Sequence, residues 1–132
     1  MTIPDVETLL ADRFRVDGAR LGEGRTGVVI PAVDEQTGRA VAVKILHEHL
    51  AGDQDALARL QAEAGVASRL VHRHVLPVLG VWSDQGRWLL VTELVQGTSL
   101  ERLTDVPMAA EAVLALGLQL ASALHAAHQA GV

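Results

Sequence analysis

Hydrophobic and polar positions divide the first half of the chain into short apolar runs separated by polar, glycine-containing segments. Two runs are rich in β-branched residues and one alternates partly, as strands do. These runs lie at residues 14–21, 28–33 and 40–46. Three successive strands joined by short turns predict an antiparallel meander. Pro31 cannot donate to a strand ladder, so we expect an unpaired stretch or a bulge at that position.

The spacing of apolar residues becomes helical after residue 52. One helical face is marked by Leu57, Leu60, Ala64, Ala67 and Leu70. Asp53 or Asp55 can cap the start of this helix. Two further strands are predicted at 75–82 and 88–92, around a polar turn.

The last forty residues are predicted to be mainly helical. A short helix over 100–103 is followed, after Pro107, by a long one from 109 to about 129. The expected fold class is therefore α+β, a five-stranded antiparallel sheet with one packed helix, followed by further helices.

Composition limits the classes of protein to which the chain can belong. The 132 residues are enough for one domain or part of one, and 49% apolar with 20% charged residues is typical of a globular protein. A net charge of −5 and the absence of a basic block argue against nucleic acid as a partner. The chain has no cysteine, which excludes disulfides and cysteine-based metal or nucleophile sites.

Targeting signals are not evident in the sequence. The N-terminus carries Asp5 and Glu7 where a signal peptide would have a basic start and an apolar run, so we expect a cytoplasmic protein. The apolar stretch over 112–127 is interrupted by polar residues and is shorter than the ~20 residues of a membrane span. It is predicted to be a core helix, with no membrane segment in the chain.

Lys44 is the only lysine, since the other ten basic residues are arginine, and it lies in an apolar predicted strand. An ammonium is a compact point charge on a flexible stem, which suits a phosphate oxygen and one carboxylate in a narrow cleft better than a guanidinium does. A chance occurrence in an arginine-rich composition is the alternative.

The glycine cluster Gly22-x-Gly24-x-x-Gly27 is compatible with several phosphate-binding loops. A dinucleotide-binding loop must lead into a helix, whereas Val28 continues as strand. A Walker loop requires Lys and Ser/Thr directly after the last glycine, and valines occupy those positions. A glycine flap whose backbone N–H groups approach phosphates remains, as does a glycine-rich hairpin without a ligand.

Glu63 lies beside the apolar stripe of the predicted helix, three residues after Leu60. If its carboxylate is buried it needs a cation, because an unpaired charge that leaves water costs several kcal/mol. Lys44 is the only lysine that could serve. A solvent-exposed position at the margin of the stripe is the alternative.

These segments together resemble the protein kinase family, and in particular bacterial serine/threonine kinases, over residues 14–132. The matching segments are Leu21-Gly22-Glu23-Gly24-Arg25-Thr26-Gly27-Val28-Val29, Val41-Ala42-Val43-Lys44, Glu63, and Leu90-Val91-Thr92-Glu93-Leu94-Val95-Gln96-Gly97-Thr98-Ser99-Leu100. Their order and spacing are similar to the glycine-rich loop, third-strand lysine, helix glutamate and hinge of that family.

The resemblance implies an N-terminal extension over 1–13, a kinase N-lobe over 14–95, and the start of a C-lobe over 96–132. It also implies that Lys44 holds the α- and β-phosphates of ATP, that Glu63 orients Lys44, and that the three glycines cover the phosphates. The remaining implied ATP-binding residues are Leu21, Val29 and Ala42 around the adenine, Glu93 and Val95 through their backbones, Thr92 as gatekeeper, and Ser99 facing the ribose.

The groups that complete phosphoryl transfer in this family are not found in the sequence. There is no His-Arg-Asp loop with a downstream Asn and no Asp-Phe-Gly segment, so the base and the Mg²⁺ ligands are lacking. His72-Arg73-His74 looks similar but ends in His and falls between the first helix and the fourth strand. We expect no metal site in this segment, including at its paired histidines.

Two interpretations follow. The favoured one is a truncated segment of a longer kinase that transfers the γ-phosphate of ATP to protein hydroxyls, with Mg²⁺ and protein substrate bound through the missing part. The alternative is a non-catalytic, pseudokinase-like half-domain that acts as a regulatory or scaffold module. The coding sequence after Val132 separates them.

The 132-residue segment alone is predicted to have no measurable kinase activity, because both the base and the Mg²⁺ ligands are lacking. The measurement is phosphate transfer from labelled ATP to a generic protein substrate. Time-dependent transfer above that of a Lys44→Ala control would contradict this prediction.

Overall fold

The structure, a computed structural model, describes residues 2–50 and 52–131. The strands within those ranges are β1 (Leu9–Leu10), β2 (Phe14–Val16), β3 (Gly22–Glu23), β4 (Gly27–Asp34), β5 (Ala40–Leu46), β6 (Val78–Asp84) and β7 (Arg87–Glu93). The helices are α1 (Gln54–Arg69), α2 (Leu100–Leu103) and α3 (Ala110–Gln129), and a 3₁₀ turn covers Glu48–Leu50.

The strands form one antiparallel sheet in the order β1-β2-β4-β5-β7-β6. β2 pairs with the C-terminal part of β4, and β3 pairs with its N-terminal part. The predicted meander and the α+β class are confirmed. The sheet has two more strand segments than the five predicted. β1 lies within the region assigned to an N-terminal extension, and the first predicted strand is divided into β2 and β3.

The division between β2 and β3 lies opposite Pro31. Pro31 pairs with Ala42 of β5, but neither β2 nor β3 reaches it on the other side. The backbone N–H of Asp17 donates to the Pro31 carbonyl at 3.0 Å. Gly18 then turns away with a φ of +142°, and a Cβ there would lie 3.2 Å from the Pro31 ring. The predicted interruption at this proline is confirmed.

One face of the sheet forms the main hydrophobic core. Its buried residues are Leu10, Phe14, Val16, Val28, Ile30, Ala32, Val41, Val43, Ile45, Leu89 and Val91. On the opposite face, α1 packs Leu60 and Ala64 against Leu46 and Leu90. Helix α1 covers only part of that face, so the rest of it is open.

Helix α1 begins where the sequence predicts. Asp53 is the N-cap, and its Oδ1 accepts hydrogen bonds from the backbone N–H groups of Asp55 and Ala56 at 2.9 and 3.1 Å. β6 begins three residues later than expected, at Val78. A turn closed by Val75 N–H and the His72 carbonyl precedes it, and Pro77 has no N–H to give to a ladder.

Helix α3, which the sequence predicts to be a core helix, is not buried within the described part of the chain. None of its described residues is buried, and Leu114 is 66% exposed. Its 20 residues and apolar composition are compatible with a membrane span, and the core helices of soluble proteins share both properties. In the described part of the chain its side chains are at most half-buried, as at Leu116, which lines a cavity with Leu100 and Leu103 of α2.

A buried carboxylate lies at the far end of β4. Asp34 is 2% exposed and accepts two hydrogen bonds of 2.9 Å from the Arg13 guanidinium, one to each oxygen. The hydrogen bond from Arg13 lowers the pKa of Asp34 to about 2, and the backbone N–H of Gln36 assists. The guanidinium carbon also lies 5.3 Å from the ring centroids of Phe14 and Trp82.

Replacement of Arg13 by alanine is expected to lower the midpoint of thermal unfolding by roughly 5–10 °C, because Asp34 would remain buried without its cation. Arg20→Ala is the matched control, since Arg20 pairs with Glu23 at 2.7 Å in an exposed position. Such exposed pairs contribute little, so this control should shift the midpoint by less than about 3 °C. Equal shifts in the two variants would contradict the assignment.

Acid should weaken the fold through Asp34. The pKa of Asp34 is about 2 in the folded chain against an ordinary value of 3.8. Its contribution to the free energy of unfolding is therefore complete above about pH 4 and is lost as the pH falls toward 2. Urea unfolding at a series of pH values gives the free energy of unfolding as a function of pH. Between about pH 2 and 4 the slope of this free energy against pH should be shallower in Asp34→Asn than in the parent. The exposed control Asp105→Asn should keep the parent slope, and an unchanged slope in Asp34→Asn would refute the prediction.

Candidate functional site

The open part of the sheet forms a cleft of about 310 Å³, at the lower end of the range for small-molecule sites. The cleft lies between the β3–β4 hairpin, β5, β7 and the segment that follows β7. It is lined by Leu21, Val29, Ala42, Lys44, Leu76, Leu90, Thr92, Glu93, Leu94 and Val95. Seven of the residues predicted to bind a nucleotide are thus brought together from distant parts of the sequence.

Strand register places the lining residues side by side. Lys44 of β5 pairs with Val29 of β4 and with Leu90 of β7. Two residues along β5, on the same face of the sheet, Ala42 pairs with Thr92. A slip of one residue would bring buried neighbours such as Val43 into the cleft and move Lys44 into the core. The core on the other face therefore fixes the position of the Lys44 ammonium group.

Polar groups at the cleft are few. The Thr92 hydroxyl donates to the Glu93 carbonyl at 3.1 Å, and the Glu93 N–H donates to the Pro77 carbonyl at 3.2 Å. In the described part of the chain, the backbone N–H and carbonyl of Val95 have no hydrogen-bond partner. Val95 therefore offers one donor and one acceptor at the rim of an otherwise apolar slot.

Packing within the fold explains only one of the three glycines of the loop. A Cβ on Gly27 would lie 2.1 Å from the Ile45 carbonyl oxygen, so the packing of β4 on β5 requires glycine there. A Cβ on Gly22 or Gly24 would meet nothing within 4 Å. Because the fold does not explain Gly22 and Gly24, the free space above them is available for close approach of a ligand to the backbone.

The expected ion pair between Lys44 and Glu63 is not formed. Both residues line a second cavity of about 230 Å³ between the glycine loop and α1. Yet the salt bridges within 4.0 Å among residues 2–50 and 52–131 do not include them. Glu63 is exposed because α1 turns Leu60 and Ala64 toward the sheet. Its carboxylate is exposed to solvent and has no cation within 4.0 Å among the described residues, as in the alternative given in the sequence analysis.

Ser99 lies outside this cleft. It is the N-cap residue of α2, with no hydrogen bond from its side chain to the helix. Leu76, Leu90 and Leu94, by contrast, line the cleft without having been predicted. Leu90 is two residues from Thr92 in β7, so strand periodicity places both side chains on the same face of the sheet. This periodicity could have predicted that Leu90 lines the cleft. Leu76 belongs to a loop that only the tertiary structure brings to the cleft.

The triplet His72-Arg73-His74, which looks similar to the His-Arg-Asp motif, has a structural role. The His72 Nδ1 accepts from the backbone N–H of His74 at 3.0 Å, and its Nε2 lies 2.9 Å from the Ser122 hydroxyl of α3. The turn thus connects α3 to the rest of the chain. No cluster of three metal-ligating side chains occurs among the residues that the structure describes.

A model of the protein kinase domain matches residues 15–132. The serine/threonine-protein kinase PknL of Mycobacterium tuberculosis is 34% identical over 131 residues, covering 98% of this chain and 33% of PknL. The serine/threonine-protein kinase Pkn1 of Myxococcus xanthus is 33% identical over 113 residues, covering 86% of this chain and 16% of Pkn1. The chain thus spans a third or less of these relatives.

The solved kinase domain of Mycobacterium tuberculosis PknI is similar in structure, with a TM-score of 0.82 and 27% identity. The alignment covers 99% of this chain and 54% of that domain. A family match over most of the chain, relatives above 30% identity and this structural likeness agree with the arrangement of the cleft. The chain belongs to the protein kinase family.

Proposed function

We propose that this chain is the ATP-binding half of a serine/threonine protein kinase, and that the whole protein transfers the γ-phosphate of ATP to protein hydroxyls. Named relatives are serine/threonine-protein kinases, and the chain corresponds to about half of the solved PknI kinase domain. Residues 14–95 would form the N-lobe, 1–13 an N-terminal extension, and 96–132 the start of the C-lobe.

The observation that carries the proposal is that Lys44, the apolar residues Leu21 and Val29 on either side of the glycine loop, and Val95 converge on one cleft. Leu21, Val29 and Ala42 provide apolar surface against which a planar adenine ring would pack. The free N–H and carbonyl of Val95 supply the complementary donor and acceptor for its edge. Specificity for a purine would come from this pair of backbone groups.

The phosphates would lie toward Lys44 and the loop. Lys44 is the one cation among the residues that line the cleft, and its ammonium would neutralise α- and β-phosphate oxygens. Gly22 and Gly24 leave space for the backbone to approach those phosphates. The chain's own contribution is thus to bind, orient and partly neutralise the triphosphate.

Glu63 would act after a movement of α1. In this structure Glu63 is exposed and separate from Lys44, although both line one cavity. An inward shift of α1 would close that cavity and pair the two side chains, which would fix the lysine against the phosphates. The present arrangement would then be the state in which α1 lies away from the cleft and the pair is open.

Metal binding and proton transfer are not assigned to this segment. Kinases as a family use Mg²⁺ with ATP, where the ion neutralises charge on the transferred phosphoryl group. The described residues hold no cluster of three metal-ligating side chains. We place those ligands, the base and the protein-substrate surface in the rest of the kinase domain.

We also propose a cytoplasmic location from the acidic, cysteine-free sequence.

Lys44→Arg tests the role of the lysine in the full-length protein that carries this segment. A wide guanidinium cannot replace a slim ammonium in the cleft, so the rate of phosphate transfer should fall by about 100-fold or more. The midpoint of thermal unfolding should remain within about 3 °C, because the charge and the aliphatic stem are kept. Transfer is measured with labelled ATP, and ATP affinity by calorimetry.

Arg39→Lys is the matched control, since it makes the reverse exchange in the exposed turn between β4 and β5 and should leave the rate unchanged. Near-normal transfer by folded Lys44→Arg would refute the role given to Lys44. ATP binding without any transfer by the parent protein would instead favour the pseudokinase-like module.

A further inference from the structure

His47, the first residue after β5, makes two contacts with the glycine loop. Its Nε2 lies 2.9 Å from the carbonyl oxygen of Gly24. Because a carbonyl oxygen only accepts, Nε2 carries the proton and donates. Its backbone N–H also donates to the Thr26 carbonyl at 2.9 Å. One residue therefore holds both sides of the loop's tip.

The side-chain bond is the more informative of the two, because it reaches the first limb of the loop, Gly22 to Gly24. The backbone bond reaches the second limb, Thr26 to Gly27. The second limb is fastened to β5 by strand pairing as far as Gly27 with Leu46. The first limb pairs only with β4, through the two residues of β3, and Gly24 N–H closes the tip on Gly27. In the described part of the chain, His47 Nε2 makes the only hydrogen bond from the first limb to β5 or the segment after it.

We propose that His47 is a positioning residue for the glycine loop. Its imidazole tethers the Gly24 carbonyl to the end of β5 and so sets the height of the loop tip above the cleft. The inference rests on the proposed function, because a fixed height favours contact with the phosphates of a bound nucleotide. A loop that is held in its binding-competent position raises the apparent affinity, since less of the protein is in incompetent states.

The neighbouring His49 provides a matched control. Its ring stacks on that of His47, with 5.6 Å between the ring centroids, and it is exposed. Within the described residues its imidazole has no hydrogen bond to the loop. His49→Ala therefore removes an imidazole two residues away and leaves the tether in place.

Hydrogen exchange measures the tether without any nucleotide. In the full-length protein that carries this segment, the peptide that covers residues 22–28 should exchange about 2- to 10-fold faster in His47→Ala, as expected for the loss of one neutral hydrogen bond. His49→Ala should leave this rate unchanged. Exchange in β5 over 41–43 should be the same in all variants, which shows that the sheet is intact.

The second measurement is the split between KM and kcat. In His47→Ala the KM for ATP should rise about 2- to 10-fold, while kcat changes less than about 2-fold, because the tether acts on loop position and not on the reacting groups. His47→Gln, whose amide can donate to the same carbonyl, should restore most of the affinity. A merely structural histidine would not be rescued in this way.

The outcomes separate the tether from the proposed function. Unchanged exchange over 22–28 in His47→Ala would overturn the tether, whatever the nucleotide result. An equal effect in His49→Ala, or a fall in kcat without a rise in KM, would also overturn it. If the parent protein bound no nucleotide, the proposed function would fail, while the exchange experiment would still decide whether His47 holds the loop.

Discussion

The register of β4, β5 and β7 is the constraint on which the site depends. Alternate residues on these strands fill the main core, and the residues between them, which include Val29, Ala42 and Lys44, form the floor of the cleft. Because the period of a strand is two, core packing on one face determines which residues meet on the other. The hydrophobic core therefore positions the single lysine, although Lys44 itself contributes little to that core.

The glycine loop and α1 complete the site in different ways. The loop is tied to β5 by the close approach of Gly27 to Ile45 and by the two hydrogen bonds of His47. Helix α1 is attached through a small set of apolar contacts around Leu60, with the exposed Glu63 beside them. A small apolar contact can be rearranged at low cost, so α1 is the element better suited to move.

The helical end of the chain contributes no buried residue to the described part of the structure. α3 is apolar on several sides and none of its described residues is buried. The likeness to PknI covers nearly the whole chain but only 54% of that kinase domain. The rest of the PknI kinase domain has no counterpart in this alignment. The His72 contact with Ser122 then connects α3 to the turn before β6 in the same domain.

The sequence by itself determined the fold class and most of the elements, and the family resemblance that it carries implied most of the cleft. Strand and helix periods predicted the meander and α1, because these depend on local spacing. The resemblance to the protein kinase family implied seven of the residues that line the cleft. Only the tertiary structure decided the approach of Leu76 to the cleft, the separation of Lys44 from Glu63, the exposure of α3 and the bond from His47 to Gly24. Each of these depends on how elements distant in sequence pack together, and periodicity along the chain does not encode that packing.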